Sequence, residues 1–213
     1  LNRLLITVCA AVLLLLAALP VAYLSWPARV PVSAAISQGA QIGGPFELQD
    51  QHGQPVNESS FKGRWTLVFF GFTHCPDVCP TAMTHVARTL DSLGEQAGQV
   101  QPLFITLDPE RDTPEVLSEY TAFFDQRILG LFGSEGQTRQ VADAYSVYFE
   151  KIPMGDTYML DHTATLYLMG PDGQFVQHYS QQMSAEAMAE DIAVQLATFP
   201  ADSNSNAEAR NGL

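Results

Sequence analysis

Positive charge is scarce in this 213-residue sequence. Its 10 lysines and arginines face 23 aspartates and glutamates, for a formal net charge of −13. Phosphate backbones would repel so acidic a chain, which argues against nucleic acid as a partner. Cysteine is scarcer still, with three residues in all, too few for a disulfide scaffold. No internal repeat is visible, so a solenoid or propeller is excluded. The N-terminus also lacks an Arg- and Ser-rich stretch, which points away from a mitochondrial transit peptide and towards a bacterial setting.

Long apolar runs are absent too, with one exception. Leu4 to Leu24 (LLITVCAAVLLLLAALPVAYL) carries no charge, and about 21 residues at about 1.5 Å each span a bilayer core of about 30 Å. Arg3 precedes the run, and Tyr23 and Trp26 close it as interfacial aromatics do. That pattern predicts a transmembrane anchor over residues 1–26 with the rest exported. A cleaved signal peptide is the competing reading, with Val32-Ser33-Ala34 as a cleavage site, but the run is longer than a usual h-region. Cys9 does not support a lipoprotein, because Val8 stands where a small residue is needed; it reads as a buried thiol in lipid.

Residues 27–44 read as a Pro- and Gly-punctuated tether and 201–213 as a disordered tail, leaving 45–200 for one folded domain. Strand and helix patterns alternate within it. Trp65–Phe72 and Gln101–Leu107 are apolar runs suited to strands covered on both faces, with a shorter strand at Ile128–Phe132. Helices are predicted over Thr81–Leu93, Pro114–Phe124 (capped by Thr113), Glu135–Tyr145 and Ala185–Phe199. Gly170-Pro171-Asp172-Gly173 joins Thr165–Met169 to Phe175–Tyr179 as a hairpin, and Phe46–Leu48 with the Gly53 turn suggests another at the front. The alternation establishes an α/β fold; the strand–helix–strand start and hairpin–helix finish give the thioredoxin-like order.

The chemistry concentrates in Gly71-Phe72-Thr73-His74-Cys75-Pro76-Asp77-Val78-Cys79-Pro80, where a central strand gives way to a helix. Amides at a helix start favour thiolate. Three residues separate the two cysteines, so their sulfurs are expected on one side of a helical turn. Two converging thiolates suit a soft ion such as Cu(I), completed by a neutral histidine. His162, in Leu160-Asp161-His162-Thr163 just before a predicted core strand, is the best candidate, although a lone histidine beside Asp161 is more often a capped loop residue than a ligand. A metal-free local disulfide fits the spacing as well. His74 is a weaker ligand candidate, since adjacent side chains seldom converge on one ion. Met83 reads as core, Met154 and Met159 as loop residues, and His52, His85 and His178 as surface. Spacing alone leaves metal binding and redox exchange nearly tied.

Three blocks in their order resemble the Sco/SenC family: Cys75–Pro80, Thr106-Leu107-Asp108-Pro109-Glu110-Arg111-Asp112-Thr113-Pro114, and Asp161-His162-Thr163 followed by Leu168–Gly173. The resemblance implies a thioredoxin-like domain holding one copper ion, Cu(I) or Cu(II), through Cys75, Cys79 and His162. It implies assembly of the CuA centre of cytochrome c oxidase, by delivering copper, by reducing the target's cysteines, or both. The CuA-bearing subunit and another exported copper carrier are the partners so implied. Asp108–Pro114 reads as a strand end and helix cap, and Asp161 as a residue that orients His162. Thioredoxin-type oxidoreductases carry a proline before the strand facing the cysteine pair; here Asp161-His162-Thr163-Ala164 fills that place. The alternative to a copper metallochaperone is a membrane-anchored thiol-disulfide reductase working through Cys75 and Cys79. A thiol peroxidase fits the fold but not the spacing. The expected setting is a bacterial inner membrane with the domain in the periplasm.

Overall fold

The computed structural model describes residues 42–198. The expected anchor at 1–26, most of the tether at 27–44 and the tail at 201–213 lie outside the described residues. Among the described residues no helix is long and apolar enough to cross a membrane.

The chain runs β1 (Glu47–Asp50), β2 (Pro55–Asn57), β3 (Trp65–Gly71), α1 (Val78–Leu93), β4 (Val100–Thr106), α2 (Pro114–Phe124), β5 (Leu129–Phe132), α3 (Glu135–Ala144), β6 (Phe149–Met154), β7 (Thr157–His162), β8 (Leu166–Met169), β9 (Phe175–Tyr179) and α4 (Ala185–Thr198). Seven strands form one sheet in the order β2-β1-β5-β4-β3-β8-β9. Its centre, β5-β4-β3, is parallel; the flanking pairs β1–β5, β3–β8 and β8–β9 are antiparallel. This is the α/β class that the alternation predicts, in the thioredoxin-like arrangement expected from the element order.

Every residue of β3 (WTLVFFG) is buried, because helices cover both faces of a central parallel strand. Each large apolar side chain there contributes about 1.5–3 kcal/mol on leaving water. The predicted helices form where their caps lie: the Thr113 hydroxyl accepts from Val116 N–H ahead of Pro114, and Ser134 with Gln137 closes a capping box on α3. Helices α1 and α4 pack together, with the buried Thr89 hydroxyl donating to the Ala185 carbonyl at 3.3 Å. Gly43 N–H donates to the Ala144 carbonyl at 2.8 Å, and Ile42 packs on the core.

Two local readings change. Helix α1 starts at Val78, so Cys79 lies in its first turn while Cys75 stays in the preceding loop. The two sulfurs therefore do not share a helical face. The segment before His162 is not a loop: β6 and β7 form a separate two-stranded hairpin, paired from Phe149↔His162 to Met154↔Thr157. All of β6 beyond Phe149 is exposed, so no buried alternation marks it in the sequence.

Candidate metal centre

Gly71 ends β3 at the mouth of the sheet, and its missing side chain makes room for the site. A Cβ there would meet Cys79 Sγ and the Phe69 ring at 2.9 Å and the Phe104 ring at 3.1 Å. From Phe72 the chain turns sharply, Cys75 N–H donating back to the Phe72 carbonyl at 3.2 Å. Asp77 sits at the N-cap of α1 but makes no side-chain cap. The Cys75 sulfur takes that place, accepting from the backbone N–H groups of Asp77 and Cys79, as a capping oxygen does elsewhere. Both thiols are free; Cys79 is buried and Cys75 half-buried.

His162 arrives from the far end of β7. The hairpin base is pinned on both sides, with Thr163 N–H donating to the Tyr148 carbonyl at 3.0 Å and Tyr148 N–H to the Thr163 hydroxyl at 3.2 Å. The rings of Phe69 and Phe72 meet the imidazole edge-on at 6.2 and 5.8 Å between centroids. His162 Nδ1 lies 3.0 Å from the Thr163 carbonyl. A carbonyl only accepts, so Nδ1 carries its proton and Nε2 is left for a metal. Nε2 stands 3.5 Å from Cys79 Sγ, and the donor atoms of Cys75, Cys79 and His162 all lie within 4.8 Å of one another. Donors arranged trigonally at about 2.0 Å for nitrogen and about 2.3 Å for sulfur would stand about 3.7–4.0 Å apart. The three groups fit one ion with little adjustment, and two sulfurs with one imidazole suit copper in its soft, monovalent state.

The pair divides its charge unequally. Cys75 is lowered to about 3, first by the hydrogen bond from the Cys79 thiol; burial opposes this, while the His162 ring and the amides of Asp77 and Cys79 support it. Cys79 is raised, by the same hydrogen bond and by its burial. Cys75 is therefore a thiolate at every ordinary pH, and Cys79 holds the shared proton. A depressed thiol is ionised above its own value and regains its proton only as pH falls through it. Iodoacetamide should accordingly modify Cys75 at a rate nearly constant from pH 5 to 9, with Cys79 protected. A rate that climbed tenfold per pH unit up to pH 8.5, as for a free thiol, would contradict the charge assignment.

Side chains that spacing alone could not place support these three. Asp112, fully buried, accepts from Thr73 N–H at 3.0 Å, from the Thr73 hydroxyl at 2.6 Å and from the Thr106 hydroxyl at 2.6 Å. It thereby ties the cysteine loop to the end of β4. Arg111 pairs with the buried Asp108 carboxylate, donates to the Tyr158 carbonyl at 3.1 Å and lies 3.8 Å over the Tyr158 ring. The Tyr158 hydroxyl returns to Asp108 at 2.7 Å. This cluster latches the hairpin that carries His162 to the loop after β4. The Asp108–Pro114 segment thus forms the strand end and helix cap the sequence predicts, and holds the centre from outside as well.

Other candidates stay apart from the three donors. Asp161 is exposed, and the Thr163 carbonyl, not Asp161, orients His162. The exposed His74 turns its Nδ1 towards the Thr73 hydroxyl at 3.2 Å and Asp112 at 3.7 Å. Met83 is core, as expected. Met154 is exposed on β6, and Met159 packs against the core from β7. His52 and His178 are on the surface, but His85 is partly buried, with Nδ1 lacking a hydrogen-bond partner among the described residues.

The SCO1/SenC family model matches residues 34–197. A curated relative, the mitochondrial SCO2 homolog of Bos taurus, is 40% identical over 169 residues, covering 78% of this chain and 64% of its own length. The chain thus spans a little under two thirds of that relative. The structure of Bradyrhizobium japonicum ScoI with copper bound is similar at a TM-score of 0.68 and 44% identity, over 71% of this chain and 98% of that one. BsSco, described as a member of the Sco family of cytochrome c oxidase assembly proteins with a disulfide switch, matches at 26% identity and a TM-score of 0.60, over 73% of this chain and 93% of that one.

Proposed function

The chain belongs to the SCO1/SenC family, and from that premise we propose that it takes up one copper ion on Cys75, Cys79 and His162 and passes it on during assembly of the CuA centre of cytochrome c oxidase. Copper here is cargo rather than a resident cofactor. The observation that carries the reading is the convergence of two sulfurs and one ring nitrogen within 4.8 Å at the mouth of the sheet. The copper-bound Sco homologue at 44% identity supports it. Cys75, the less buried of the two cysteines, offers the incoming or departing ion the more accessible side, while the buried Cys79 and the latched His162 hold the other two corners. The CuA-bearing subunit is the proposed acceptor, and an exported copper carrier the proposed donor. The apolar run at Leu4–Leu24 with Arg3 before it supports tethering to a bacterial inner membrane with the domain in the periplasm.

Thiol-disulfide exchange with the same partner is a second reading, favoured by the thiolate character of Cys75. The Cys75 thiolate would attack a partner disulfide, forming a mixed disulfide and releasing one partner thiolate. Cys79 would then attack Cys75 Sγ, releasing the second and leaving a Cys75–Cys79 disulfide, so that two electrons pass to the partner. Anaerobic Cu(I) titration of the reduced protein against a chromophoric chelator separates the two. One equivalent bound per chain, in competition with the chelator, is the expected result. Failure to compete at any ratio, with a Cys79→Ser variant trapping a partner through Cys75, would leave the reductase alone.

A further inference from the structure

Beside the cysteine loop lies a hollow of about 560 Å³ lined by Thr73, His74, Val116, Glu119, Tyr120, Phe123 and Phe124. Its floor is one face of α2. Residues 116, 119–120 and 123–124 recur at helical spacing, while Leu117 and Thr121 on the adjoining side are buried. Three features of this face are not explained by the fold. Phe123 is 83% exposed, an expensive place for an aromatic ring with nothing to cover it. The Tyr120 hydroxyl is shielded from solvent yet has no hydrogen-bond partner among the described residues. Glu119 is the one acidic lining residue, and neither lysine nor arginine lines the hollow. Thr73 and His74 run directly into Cys75, so whatever fills the hollow lies beside the cysteine loop.

We propose that this hollow is where the copper acceptor docks, and that it receives a lysine or arginine side chain carried on an apolar-flanked segment of that partner. The inference rests on the reading of the centre as a copper donor. A cation suits the site on two counts. Aromatic faces at Tyr120, Phe123 and Phe124 attract a cation through their ring quadrupoles, and Glu119 supplies the opposite charge within a chain of net charge −13. The flanking apolar residues of the partner would cover Phe123 and Val116, and a partner carbonyl would accept from the Tyr120 hydroxyl, which burial otherwise leaves unsatisfied. The arrangement is that of an interface anchor, an aromatic cluster ringed by polar groups. It would bring the partner's own thiols alongside Cys75, the less buried of the two cysteines.

The test is copper transfer from the loaded protein to a soluble, reduced, copper-free CuA domain, with transfer to a small Cu(I) chelator as control. Phe123→Ser and Glu119→Lys should each slow transfer to the domain by about 10-fold or more and leave transfer to the chelator unchanged. Raising the salt concentration should slow the wild type and have little effect on Glu119→Lys. Variants that match the wild type towards the domain, while the wild type transfers normally, overturn the inference and leave the copper-donor reading standing. A wild type that loads copper but never yields it to the domain removes that reading, and the inference with it. Light scattering that shows a dimer lost in Phe123→Ser would assign the hollow to a second copy of this chain and overturn the proposal.

Discussion

Replacing Cys79 by serine is expected to abolish measurable copper binding while leaving the domain folded. Cys79 contributes a fully buried sulfur from the first turn of α1. A serine hydroxyl occupies nearly the same volume, so the packing around Gly71, Phe69 and Phe104 survives. The chemistry does not: a neutral oxygen is a poor ligand for a soft monovalent ion. Removing a partner outside the ligand set typically costs about 10–100-fold in metal affinity, and loss of a sulfur from a three-donor site should exceed that range. His162→Ala should also weaken binding, by less than Cys79→Ser, because two thiolates remain to hold the ion between them. Affinities measured by chelator competition, with circular dichroism to show an unchanged fold, check both. A Cys79→Ser protein that kept copper within tenfold of wild type would remove the buried sulfur from the site.

Arg111→Ala is the second large effect, and it acts without touching the ligands. Arg111 holds the buried carboxylate of Asp108 on one side and the Tyr158 ring and carbonyl on the other. Its loss leaves Asp108 buried with only the Tyr158 hydroxyl as a side-chain partner. Removing one partner of a buried ion pair costs about 3–5 kcal/mol, with the lower end expected here because Arg111 is partly exposed and Tyr158 still donates. About 3 kcal/mol in a domain of this size corresponds to a drop in Tm of about 6–12 °C. The freed hairpin would also hold His162 less firmly, lowering copper affinity by about 10–100-fold, the range for outer-shell positioning groups. Thermal unfolding and chelator competition on one preparation separate the two consequences. A variant that lost stability and kept full affinity would show that the latch supports the fold but does not position His162.

Much of this is legible in the sequence because it is encoded locally. The central strand announces itself as an apolar run, the helices through caps such as Thr113-Pro114 and Ser134, and the Gly170–Gly173 turn through its residue types. The cysteine pair is legible as a site by type and spacing, but spacing leaves metal binding and redox exchange tied, and it is the resemblance to the Sco/SenC family that joins His162 to the pair. What stays hidden is tertiary. The β6–β7 hairpin lies outside the main sheet, and β6 beyond Phe149 is exposed on both faces, so Glu150 to Met154 show no alternation. Its turn at Gly155, with a positive φ of 63°, is the one local signal that could have revealed it. The roles of Arg111, Asp112 and Tyr158 depend on contacts across about 40–50 positions of sequence, which only long-range packing creates. Asp161 misleads for the opposite reason: it adjoins His162 in the chain, but successive residues of a strand point to opposite faces.

X-ray absorption at the copper edge on the singly loaded, reduced protein tests the central claim most directly. Two sulfurs near about 2.3 Å and one imidazole nitrogen near about 2.0 Å are predicted, with the nitrogen shell lost in His162→Ala. A shell of sulfur alone, or a nitrogen shell that survives in His162→Ala, would contradict the assignment of His162 as the third donor.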